Sequence, residues 1–211
     1  MERAIVFVDG SNWYFGCAAL GLRNLGRLDF ASISRKLVQH RAWIATRYYV
    51  GEVPMAGNRE LAAGQQRFLA FLRSCDRRIS VHVGRLEPRE SRSEVAAAIL
   101  RYLGALRTRI EPSVYRDLVA LAKAHSVARV MVEKAVDVQI AVDMVVMAER
   151  DEYDTAYLLS ADGDLTPAVA AVTATGRRVF VASPAVGARL AEVSTAYLRL
   201  RRPWFTDVFA P

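Results

Sequence analysis

The chain is 211 residues long, 53% hydrophobic and 24% charged, with a formal net charge of +7. That length supports one well-buried core with room for an appended subdomain, and the composition excludes a disordered chain. No apolar window is long enough to cross a bilayer, and MERAIVFVDG runs straight into a strand without the regions of a signal peptide, so a cytoplasmic protein with no membrane partner is expected. The positive charge suits a polyanion. Arginine greatly outnumbers lysine, however, with Lys36, Lys123 and Lys134 the only lysines, and a GC-rich genome would produce the same bias. Cys17 and Cys75 are lone thiols, and His40, His82 and His125 are scattered, which argues against zinc and against a disulfide framework.

Arg3 to Val8 is apolar throughout, as in a strand buried on both faces of a parallel sheet, and Asp9 arrives where it ends. Gly10, Ser11 and Asn12 read as a turn, with a short helix beginning at Asn12. Asp29 caps a helix that places Phe30, Ile33, Leu37 and Val38 on one face. Ala42 to Val50 is the second strand, Asn58 to Ser74 a helix capped by Asn58, and Ile79 to Leu86 the third strand. This alternation predicts right-handed crossovers in a mostly parallel sheet.

Residues 88–128 interrupt the rhythm as a helical insert, read as a hairpin. Ser91 and Glu94 make a capping-box pair before a helix carrying Val95, Ile99, Tyr102, Leu103 and Leu106. Pro112 opens a second helix with Val114, Leu118, Leu121 and His125 on one side. The outer face of the hairpin carries Arg92, Arg101, Arg107, Arg109 and Arg116 together with Glu87, Glu90 and Glu94, which fits a solvated mixed-charge face or a grip on a nucleic-acid backbone. Thr155 to Leu159 is a fourth strand, Leu165 to Thr175 a helix, Arg178 to Ala182 a fifth strand, and Pro184 to Ser194 a further helix. The tail, residues 199–211, combines Arg199, Arg201 and Arg202 with Trp204. Such a segment either holds single-stranded nucleic acid or docks its aromatics onto the domain.

Ligands of an open parallel sheet bind beyond the carboxyl ends of its strands, where strand order reverses. Asp9 and Asp162 each follow an apolar strand, so they converge if those strands are neighbours, and Asp137 at the start of a helix can face the same cleft. Three acids in a partly dry pocket repel one another unless a cation neutralises them. An all-oxygen donor set selects Mg²⁺ or Mn²⁺ over zinc. Asp164 fits either a helix N-cap or a direct or water-mediated role at the metal. Asp143, six residues past Asp137, points roughly 120° away on a helix; it fits a rim position, a second ion or a structural partner for a base. Asn12 and Ser160 are suited to orienting the carboxylates, and Lys134, read one helical turn before Asp137, to a substrate phosphate or to the cluster.

Three segments, VDGSN, EKAVDVQIAVDM and LLSADGDLTPAV, in this order, resemble the NYN domain, the branch of the PIN-like ribonuclease superfamily that includes the LabA-like bacterial proteins. The match is strong over the first dozen residues and from Val132 to Val181, and weak between them. The resemblance implies a Rossmann-like three-layer α/β/α fold with a central mostly parallel sheet, a single domain over 1–198, and a Mg²⁺-dependent (or Mn²⁺-dependent) phosphodiesterase acting on RNA. Asp9, Asp137, Asp162 and Asp164 correspond to its acidic site, with Asn12, Lys134, Asp143 and Ser160 as companions. SADGD departs from a pattern that often has glycine at its second position, and the helical insert leaves substrate choice open. The expected function is therefore a metal-dependent endoribonuclease. The alternative is an inactive RNA-binding or protein-interaction module of the same fold, and the apolar helices leave room for a homodimer. A phosphatase of the haloacid-dehalogenase type would need DxD directly after the first strand, where this chain has Asp9-Gly10-Ser11.

Overall fold

The computed structural model describes residues 1–53 and 59–210, apart from the side chains of 85–92 and 128–134. In chain order the elements are β1 (Arg3–Asp9), α1 (Gly10–Ala19), α2 (Phe30–Val38), β2 (Ala42–Gly51), α3 (Arg59–Cys75), β3 (Ile79–Arg92), α4 (Glu94–Leu106), α5 (Pro112–Ala124), β4 (Val127–Lys134), α6 (Val136–Glu149), β5 (Thr155–Leu159), α7 (Thr166–Ala174), β6 (Arg178–Ser183), α8 (Ala188–Val193) and β7 (Ala196–Arg199). They form two compact units, one of Met1–Arg85 with Lys134–Pro211 and one of Leu86–Glu133.

The first unit is a three-layer α/β/α fold. Six parallel strands run in the order β3-β2-β1-β5-β6-β7. β1 sits at the centre because every residue from Ala4 to Val8 is apolar and can be buried on either face. Its alternating side chains feed two cores. Ala4, Val6 and Val8 pack with Trp13, Phe30, Ile33 and Leu72, whereas Ile5 and Phe7 pack with Ile140, Met144, Leu158 and Val169. From β1 the order runs outward through β2 and β3 on one side and through β5, β6 and β7 on the other, so it reverses between β1 and β5. Asp9 and the residues after Leu159 emerge at that reversal.

In the second unit, Leu103 of α4 and Ala96 and Ala122 are buried, but Val95, Ile99, Tyr102, Val114, Leu118 and Leu121 are exposed. The expected apolar face of α4 is therefore split, with Leu103 inside and Val95, Ile99 and Tyr102 outside. Ser93, not Ser91, caps α4, accepting from the Ala96 backbone N–H at 3.1 Å.

Several element bounds differ from expectation. α1 begins at Gly10 instead of Asn12, because the Asp9 side chain caps it. β3 continues to Arg92, and α8 starts only at Ala188. β4 and β7 were not foreseen: the apolar run before Lys134 reads equally well as the approach to a helix, and β7 has only four residues, two of them exposed. Asp29 caps α2 as expected, accepting from Ala31 N–H at 2.9 Å. Asn58 lies outside the described residues. No helix among the described residues is long and apolar enough to cross a membrane.

The tail docks. Phe205 is buried and packs on Trp13 with ring centroids 5.8 Å apart. Lys36 lies over the Trp204 ring at 4.9 Å and donates to the Trp204 carbonyl at 2.8 Å.

Candidate metal centre

Asp9 is the last residue of β1 and is buried despite its charge, with 3% of its surface exposed. Its oxygens are engaged by the chain itself. One accepts from Asn12 N–H at 3.0 Å, which caps α1, and the other accepts from the Ser160 hydroxyl at 2.8 Å. Gly10 follows because nothing larger fits: a Cβ there would stand 2.7 Å from the Tyr48 ring. Ser160 Oγ also accepts from Asp162 N–H at 3.0 Å, and Asn12 Oδ1 accepts from Ala161 N–H at 2.8 Å. Asn12 and Ser160 thus tie the turn after β1 to the turn after β5.

Burial is the main force raising the Asp9 carboxyl, to about 6; the Asn12 and Ser160 hydrogen bonds oppose it, and the negative charges of Asp137 and Asp162 add to it. Asp162 caps a short 3₁₀ turn, accepting from Asp164 N–H at 2.9 Å. Asp137 stands in the first turn of α6, where the helix dipole favours a carboxylate. One oxygen from each of Asp9, Asp137 and Asp162 lies within 4.8 Å of the others. Two oxygens sharing one Mg²⁺ at about 2.1 Å each are at most about 4.2 Å apart. Asp137 is exposed and Asp162 half-buried, so small side-chain adjustments close that difference. The donor set is all carboxylate and the electrostatic frustration at Asp9 is what a cation relieves, so the residues fit a divalent metal.

The remaining predicted residues separate. Asp164 is exposed and is not one of the three clustered acids. Asp143 takes the structural role among those open to it: Arg47 Nη2 and the Tyr49 hydroxyl donate to its Oδ2 at 2.8 and 2.7 Å, and Arg47 Nε donates to the Tyr49 oxygen at 2.8 Å. Tyr49 in turn stacks on His82 at 4.8 Å. Burial, then the Arg47 charge, holds the His82 imidazole toward its neutral form. Lys134 ends β4 and so is not on the helix that carries Asp137, since Ala135 intervenes in a left-handed conformation with φ 72°; its side chain lies outside the described residues. In the tail, Arg199 Nε donates to the Pro184 carbonyl at 2.8 Å, Trp204 is held by Lys36, and Arg201 and Arg202 are exposed.

Sequence reasoning missed Arg189. A Cβ placed on Gly163 would meet its Cδ at 3.3 Å and its Nη1 at 3.6 Å, so this exposed guanidinium lies across the residue that follows Asp162. No carboxylate among the described residues pairs with it. The sequence offers no signal for it beyond one more arginine among many.

The fold has a structural relative in a protein of unknown function from Vibrio parahaemolyticus. Its crystal structure aligns with a TM-score of 0.55, covering 93% of this chain and 91% of that one, at 16% identity. No curated protein matches the chain. The family model of the NYN domain matches residues 3–199. With the acids at the reversal of a parallel sheet, and with a match across nearly the whole length, the chain belongs to the NYN domain family, whose fold is that of the PIN-like nucleases.

Proposed function

We propose that this protein is a divalent-metal-dependent ribonuclease that hydrolyses internal phosphodiester bonds of RNA. The observation that carries the reading is the convergence of Asp9, Asp137 and Asp162, with Asp9 raised by its burial and by the other two acids. Membership of a family whose members are generally ribonucleases supports it. Asp9, Asp137 and Asp162 would hold Mg²⁺ or Mn²⁺, which when bound supplies Lewis-acid activation of water and neutralises charge building on the phosphoryl oxygens. The protein's own residues do the rest. Ser160 and Asn12 fix Asp9 and the turn after β5, so the ligand oxygens need little reorganisation. Arg189, over Gly163, is placed to receive a substrate phosphate, and charge-assisted hydrogen bonds from a guanidinium suit that task. Asp164 is exposed on the turn that Asp162 caps, and its backbone N–H donates to Asp162 Oδ1 at 2.9 Å; in this reading its carboxylate would act at the rim through water.

The test is cleavage of end-labelled single-stranded and hairpin RNA with Mg²⁺, Mn²⁺ or EDTA. Metal-dependent products are expected from the wild type, with Asp9→Asn and Asp162→Asn slower by about a hundredfold or more. Full activity in either folded variant would overturn the mechanism. Salt-sensitive RNA binding without product under every condition would assign the cleft to an RNA-binding module instead.

A further inference from the structure

Two aromatic side chains stand in solvent on the helix that Asp9 caps. Phe15 is 70% and Tyr14 52% exposed, while the neighbouring Trp13 is buried. Leaving a ring of that size in water forgoes the gain of burying it, yet α1 displays two in succession. Their place on the helix is specific. A helical residue neighbours those three and four positions before it, so Phe15 stands beside Ser11 and Asn12. Asn12 is the residue whose Oδ1 holds Ala161 N–H, between Ser160 and Asp162. Tyr14 meets Phe15 edge-on, with centroids 5.6 Å apart and planes at 81°, so the pair presents ring faces in different directions.

Phe15 adjoins the site's framework through Asn12, and a cation adjoins it through Gly163. Arg189 lies against Gly163, next to Asp162, and the chain carries +7. Cations that track the backbone, together with aromatic rings that accept bases, are the combination by which proteins hold single strands. We infer that Tyr14 and Phe15 form a stacking platform for an unpaired nucleobase flanking the scissile phosphate, so that the site selects single-stranded RNA over duplex. This rests on the ribonuclease reading of the acidic cluster. A paired base in an A-form helix has both faces covered by its neighbours and cannot offer one to Phe15 without unstacking. An apolar protein partner would use the same rings for their volume instead of their π faces.

The test separates these. The wild-type chain in EDTA, which prevents metal-dependent cleavage, is titrated into a short single-stranded RNA carrying 2-aminopurine and into a blunt hairpin of the same length. Quenching of 2-aminopurine reports stacking, and its titration curve gives the affinity. Phe15→Leu keeps an apolar side chain without a π face. It is expected to weaken single-strand binding about fivefold or more and to remove the quench, leaving the weaker hairpin binding unchanged, whereas Phe15→Trp retains both signals. Equal single-strand affinity and quench in wild type and Phe15→Leu would overturn the platform. So would absence of RNA binding, or a wild type that sediments as a dimer and becomes a monomer in Phe15→Ala, which would place the ring between copies. Quenching that depends on Phe15 without cleavage of any RNA in metal would sustain the platform and remove the nuclease reading. Asp9-dependent cleavage with no effect of Phe15 would do the reverse.

Discussion

Asp9 carries a measurable cost for its position. Its carboxyl is raised to about 6, first by burial, against about 3.9 for an unfolded aspartate. The folded state therefore binds the proton more tightly than the unfolded state, and the fold is favoured most when Asp9 is protonated. Stability from this group is fully present below the unfolded value and falls as pH rises through about 6. Across that interval the loss amounts to about 3 kcal/mol. Urea denaturation in EDTA at pH 4.5 and pH 7.5 should show about 2 kcal/mol of this decline in the wild type and a smaller one in Asp9→Asn. Saturating Mg²⁺ should remove much of the difference. An equal decline in the variant would mean that Asp9 is not its source. At this scale the sequence was informative, because an acid directly after an apolar strand stands at the carboxyl end of the sheet, where Asp9 also caps α1. It was uninformative about Arg189, whose significance comes only from a packing contact with Gly163.

Elements position these side chains, and α6 shows how. It must hold Asp137 at its first turn while its other end packs on the sheet. Ile140, Met144 and Ala148 supply the packing, and Tyr153 donates to the Met144 carbonyl at 2.6 Å. The Asp143 contacts to Arg47 and Tyr49 are the polar tie between α6 and β2. Asp143→Ala should cost about 2–4 kcal/mol, since it removes two hydrogen bonds to a charged, partly buried acceptor. Asp143→Asn, which keeps an acceptor, should cost about half of that. Chemical denaturation measures both, and a loss below about 0.5 kcal/mol in Asp143→Ala, half of a usual net hydrogen bond, would show that apolar packing alone seats the helix. Helical geometry separated Asp143 from Asp137 in advance, but its partner was out of reach of sequence reasoning, because Arg47 lies 96 residues away on β2. The caps show the same division: Asp29 was readable from its place before a periodic run, whereas the Ser91–Glu94 spacing pointed to Ser91 and the backbone course instead makes Ser93 the cap of α4.

At the scale of the whole molecule, the alternation of strands and helices announced a parallel sheet, and the order of its strands followed from that pattern only in part. The connection through β7 was hidden in a short basic segment, and the tail beyond it is structural. Asp29 N–H donates to the Val208 carbonyl at 2.9 Å, and Ala210 N–H to the Arg27 carbonyl at 2.8 Å, so the last residues close over the core that contains Trp13 and Phe30. Phe205→Ala should destabilise the domain by about 3–5 kcal/mol, read as a lowered thermal or urea midpoint. A midpoint like that of the wild type would mean the tail rests on the core without supporting it. The three clustered acids come from positions 9, 137 and 162, and no short stretch of chain carries more than one of them. They meet only when β1 and β5 have paired and α6 has settled beside them. The ion site is thus a record of completed folding, and a truncated or half-assembled chain has no weakened version of it to offer. A luminescent lanthanide that accepts carboxylate oxygens would report assembly of the sheet itself, lighting in a refolding experiment only when the last of these pieces arrives.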